Sequence, residues 1–102
     1  MKAAVLLALL SGLTSAVRPA PVVTRTVFGA AGQTLTIHLR GETQLTAPLP
    51  PSWRAPSLTP LVLQVDVTDF QQCLPLRTQG QDHRLCVAPA DTTVTQIGLT
   101  LR

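Results

Sequence analysis

The residues able to do chemistry are few and widely spaced. His38 and His83 are the only imidazoles, Cys73 and Cys86 the only thiols, and Trp53 the only indole. An imidazole can act as a general base or ligate a metal. Zinc needs several ligands at once, and the two thiols are better explained as partners of each other. No metal site is expected. Neither Gly-x-Ser-x-Gly nor His-Glu-x-x-His occurs beyond residue 16. Ser52 and Ser57 fall in a proline-rich stretch with no neighbouring base. Asp66 and Asp69 read as turn-capping residues, not as the paired carboxylates of glycoside chemistry. No glycine-rich phosphate cradle is present. The chain therefore reads as a non-enzyme, with no catalytic residue and no cofactor.

The cysteines carry the sharpest expectation. Gln79-Gly80 has the form of a two-residue hairpin turn, with Gly80 supplying a positive φ. That turn sets Thr78 opposite Gln81, Arg77 opposite Asp82 and Leu74 opposite Leu85, and it brings Cys73 opposite Cys86. Counting outward from the turn, Cys73 and Cys86 form a non-hydrogen-bonded pair, where side chains stand closest. A disulfide across a loop this short contributes about 3 kcal/mol. The Cys-x-x-Cys spacing of thiol oxidoreductases is absent, so the bridge reads as a staple. Phe70, Leu74, Leu76, Leu85 and Val87 should share the core face. The bridge should sit at the surface with Arg77, Asp82 and Arg84.

Contact residues are harder to find. Trp53-Arg54, stiffened by neighbouring prolines, suits a binding hot spot or a sugar-stacking platform. The competing reading folds Trp53 down as a lid over the core end. The hairpin tip, Gln79 and Gly80, would be a rigid probe if the protein inhibited an exported hydrolase.

The elements that must position these residues are strands. Residues 34–40 alternate, with Leu35, Ile37 and Leu39 on one face and Thr34, Thr36, His38 and Arg40 on the other. Residues 61–68 repeat the pattern through Leu61, Leu63, Val65 and Val67. Further strands are expected over 22–28, 43–49, the two arms of the 70–88 hairpin, and 92–101. In the last of these Val94 is out of phase, which predicts a bulge near 96–98. Residues 48–60 hold five prolines and should form polyproline-like loop or sheet edge. About seven short strands favour an all-β fold, a small antiparallel β-sandwich, with a partly open β-barrel as the alternative.

Residues 1–16 predict that this domain is exported, the alternative being a buried N-terminal helix. Met1-Lys2, the apolar run 3–10 and the small residues 11–16 have the layout of a secretory signal peptide. The run falls short of the about 20 apolar residues a membrane span needs, so no stable span is expected once the signal is removed. Residues 17–21 read as a flexible lead-in and 22–102 as one β domain. The chain lacks Asn and Tyr and is rich in Ala, Arg, Pro and Leu, which fits a GC-rich bacterial genome. Its net charge is +3 with the arginines scattered, so no nucleic-acid partner is expected.

Ala47-Pro48-Leu49-Pro50-Pro51-Ser52-Trp53, a proline spacer, and the alternating run from Leu61 to Thr68 resemble a segment of the small immunoglobulin-like sandwiches attached to bacterial exported proteins. The resemblance implies an architecture and assigns no functional residue. The expected function is an exported, non-catalytic module of the periplasm, cell envelope or medium, binding an unknown protein or envelope component. Carbohydrate or small-ligand binding and hydrolase inhibition are the alternatives.

Overall fold

A computed structural model describes residues 21–101; the expected leader over 1–16 and the lead-in before Pro21 lie outside the described residues. Eight strands form: β1 (Val23–Gly29), β2 (Thr34–Arg40), β3 (Thr43–Leu45), β4 (Trp53–Leu58), β5 (Leu61–Asp66), β6 (Gln72–Thr78), β7 (Gln81–Pro89) and β8 (Gln96–Thr100). They make two four-stranded sheets, ordered β1-β7-β6-β3 and β4-β5-β2-β8. The sheets pack on each other as a sandwich, and neither closes into a barrel.

Alternation explains the core. Leu35, Ile37 and Leu39 of β2 and Leu61, Leu63 and Val65 of β5 point inward and are buried. Leu74 and Leu76 of β6 and Leu85 and Val87 of β7 meet them from the other sheet. Each fully buried Leu or Val contributes roughly 1.5–3 kcal/mol from loss of apolar surface to water. Arg25 lies opposite Leu85 but stays exposed, because β1 is an edge strand and the long side chain reaches water past the sheet.

The expectation of a wholly antiparallel sandwich is corrected. β1 runs parallel to β7, and β2 runs parallel to β8. The path of the chain explains this. β1 and β2 lie in different sheets, joined by residues 30–33 alone, so they cannot form a hairpin. Each instead accepts a strand from the far end of the sequence.

Two prolines shape the edges. Pro56 falls within β4, where the pairing with β5 shifts register between Arg54 and Ser57. A bulge on an edge strand tolerates a residue without an N–H, so residues 53–58 take the sheet-edge form of the two expected for 48–60. Pro75 pairs with Arg84 of β7 at a non-hydrogen-bonded site. Its nitrogen therefore faces the β3 side, where the β3–β6 ladder ends at Leu45 and Leu76.

The bulge expected near 96–98 does not occur: β8 keeps an even register on β2 from Gln96 to Thr100. Val94 precedes the strand, which is why it is out of phase.

The connections divide between the two ends of the sandwich. The turns 41–42, 59–60 and 79–80 lie at one end and span two residues each. The segments 30–33, 46–52, 67–71 and 90–95 all lie at the other end.

Candidate functional site

The cysteine ribbon follows the expected register throughout, from Thr78 opposite Gln81 to Cys73 opposite Cys86. Gln79 and Gly80 both have positive φ, 51° and 76°, as a two-residue turn of this hand requires. Arg77 pairs with Asp82 at 2.8 Å. Cys73 and Cys86 are bonded, with their Cα atoms 4.0 Å apart.

The bridge is on the outer face, but its expected surface position is corrected for one half. Cys86 is 0% exposed. β7 is an interior strand, so Thr26 of β1 and Cys73 of β6 flank Cys86 on both sides. Cys73 is half-buried, with the Gln71 amide against its sulfur at 3.5 Å.

Trp53 takes the lid position. It is 3% exposed and belongs to the core cluster. The chain enters β4 through a turn in which the Trp53 N–H donates to the Pro50 carbonyl at 3.0 Å. Trp53 then pairs with Val65, whose side chain points inward, so the indole follows it into the core. The ring thus faces the protein interior, and the alternative of a sugar-stacking platform is not met. Arg54, one residue on, faces outward and grips Asp66 through two bonds of 3.0 Å. Thr34 donates to the same carboxylate at 2.9 Å. These bonds, Arg54's first and then Thr34's, hold the Asp66 carboxyl below the usual carboxylate range. The bond to Asp66 raises Arg54 correspondingly.

This cluster belongs to a larger brace at the long-loop end. The Asp66 N–H donates to the Ser52 carbonyl at 2.9 Å, and the Ser52 hydroxyl donates to the Gln72 side-chain oxygen. The Gln72 amide in turn donates to the Asp66 carbonyl at 3.0 Å. Segment 46–52 is thereby tied to Asp66 and Gln72, the residues on either side of segment 67–71. The Gly32 N–H donates to the Val67 carbonyl and the Val67 N–H to the Gln33 carbonyl, both at 2.9 Å, which ties in segment 30–33. The Ala90 N–H donates to the Gly29 carbonyl at 2.9 Å and secures the start of 90–95.

Phe70 stands on this braced end and is 78% exposed, the most exposed of the large apolar side chains described. Its expected place on the core face is corrected. β6 begins only at Gln72, and the Phe70 N–H closes a small turn onto the Thr68 hydroxyl at 3.3 Å. That turn breaks the alternation before it reaches Phe70. The Thr68-Asp69 pair, both turn formers, was the sequence signal for it.

The imidazoles lie apart. His38 is exposed on the outer face of β2, 3.4 Å from the Gln96 side-chain oxygen. His83 points into the core and is 1% exposed. Neither of its ring nitrogens has a hydrogen-bond partner among the described residues. Among those residues, no three His, Cys, Asp or Glu side chains gather as metal ligands. Comparison with protein-family models, curated proteins and solved structures gives no match to this chain.

Proposed function

We propose that this chain is an exported, non-catalytic β-sandwich module that binds a protein or a cell-envelope component through its long-loop end. Phe70 carries the proposal. A large aromatic side chain left in water, on segments already tied to one another, is the composition and the rigidity that interface cores favour. Little ordering entropy remains to be lost when a partner covers it. The proposal extends to an immunoglobulin-like character: two packed four-stranded sheets with the longer loops gathered at one end support it, while the parallel β1–β7 and β2–β8 pairs depart from the simplest form of such a sandwich. The signal-like residues 1–16 and the disulfide support export, since such bridges persist in oxidising compartments.

The test is co-sedimentation of the purified protein with an envelope fraction. Phe70→Ser should abolish retention and leave the unfolding free energy within about 0.5 kcal/mol of wild type, as expected for a surface change. Unaltered retention of Phe70→Ser would remove the loop end from consideration.

A further inference from the structure

The outer face of the β1-β7-β6-β3 sheet holds a second feature, which meets the long-loop segments only at Thr46. A cleft of about 550 Å³ opens there over β6 and β7, within the range of small-ligand sites. We propose that it binds a small amphipathic anion: a carboxylate attached to a flat apolar body.

The floor accounts for the apolar part. Pro75 and Cys73 line the cleft, with Val22 and Thr46 at its two sides. Pro75 offers a ring and no N–H, and the Cys73–Cys86 bridge is equally without a strong donor. Val22 is among the exposed large apolar side chains. A flat hydrocarbon lying between Val22 and Thr46 would cover surface that is costly to leave in water.

The charges account for the carboxylate. Arg77, Asp82 and Arg84 line the same cleft. Asp82 is occupied by Arg77, at 2.8 and 2.9 Å. Arg84 has no ion-pair partner among the described residues, and residues 1–20 contain no Asp or Glu to provide one. Among the described residues, one guanidinium of the cleft is therefore uncompensated. It is also well placed: Arg84 is the register partner of Pro75, so the cation rises from the strand beside the proline ring. A guanidinium presents paired donors that match a carboxylate in a planar, two-bond contact. Neither half of the ligand would bind well alone. The apolar body lacks enclosure on an open sheet face, and an isolated carboxylate competes poorly with water for an exposed arginine.

The experiment is an amide-shift titration of the oxidised protein with 2-naphthoate, with 2-naphthalenemethanol and acetate in parallel. The expected result is saturable shifts centred on Cys73, Leu74, Leu76 and Arg84, with the neutral alcohol at least about tenfold weaker and acetate weaker still. Arg84→Gln should weaken naphthoate by a similar factor, and Arg25→Gln, off the cleft, should not. The proposal is overturned by the absence of saturable shifts, by shifts centred elsewhere, or by equal binding of acid and alcohol. Equal binding to wild type and Arg84→Gln also overturns it. Should Arg84→Gln fail to fold, the comparison of acid with alcohol on the wild-type chain decides alone. Phe70→Ser should leave this titration unchanged, which separates the cleft from the loop end.

Discussion

The two ends of the sandwich are held by different physics. At the tight-turn end, backbone conformation does the holding. Gly41 and Gly80 sit at φ of 81° and 76°, and Gln79 joins Gly80 on the left-handed side. The buried Thr43 and Thr78 hydroxyls bond each other at 2.8 Å close by. At the long-loop end, side chains and cross-loop hydrogen bonds do it: Arg54, Thr34 and Asp66, then Ser52 and Gln72. A turn of two residues leaves no freedom to vary what it displays. A longer segment can vary, provided something else fixes it, and that is where Phe70 is displayed.

The contrast can be broken most strongly through the disulfide. Cys73 lies near the start of β6 and Cys86 near the finish of β7, toward the long-loop end. Replacing both with Ala should cost about 3 kcal/mol in urea unfolding. Hydrogen exchange should accelerate first in residues 67–73 and 86–91. Equal acceleration at the tight-turn end would show that the two ends are one cooperative unit. A smaller effect is expected at the opposite end from Gly80→Ala, which forces a Cβ into the left-handed region at about 1–2 kcal/mol. A Cβ there has open space around it, so the cost is conformational alone. Exchange at Phe70 should stay at the wild-type rate.

The smallest effect is electrostatic. The Asp66 carboxyl is held low by Arg54 and then Thr34. A depressed folded value contributes stability above the unfolded value of about 3.9, and that contribution is lost as pH falls through the folded value. The difference in unfolding midpoint between wild type and Asp66→Asn should therefore be constant near neutrality. It should shrink on acidification through the carboxylate range and then level off. A difference that grows with acid would contradict the ion pair.

Legibility in the sequence followed how local each feature is. The cysteine ribbon could be read pair by pair because Gln79-Gly80 fixes the register and every later pair is counted from it. β2 and β5 were legible because their alternation is unbroken. β4 was not, since Pro56 and the register shift after Arg54 erase the period of two. The alternation of β6 does not extend to Phe70, because the strand starts only at Gln72, after the turn at Thr68. The parallel neighbours of β1 and β2 were invisible for a deeper reason: strands from opposite ends of the chain meet there, and no local pattern encodes that adjacency. The cleft beside Arg84 has the same origin, since Val22, Thr46, Pro75 and Arg84 come from four separate stretches.

β1 sets out from the pole that carries Gln79 and Gly80, and β8 finishes at that pole too. Gln81 holds the incoming backbone there by donating to the Pro21 carbonyl at 2.8 Å. The polypeptide thus comes in and goes out on the same side, as a stalk meets a bud. A reporter joined directly before Pro21 or directly after Leu101 would sit at that pole and leave Phe70 pointing away, without shadowing the surface under test.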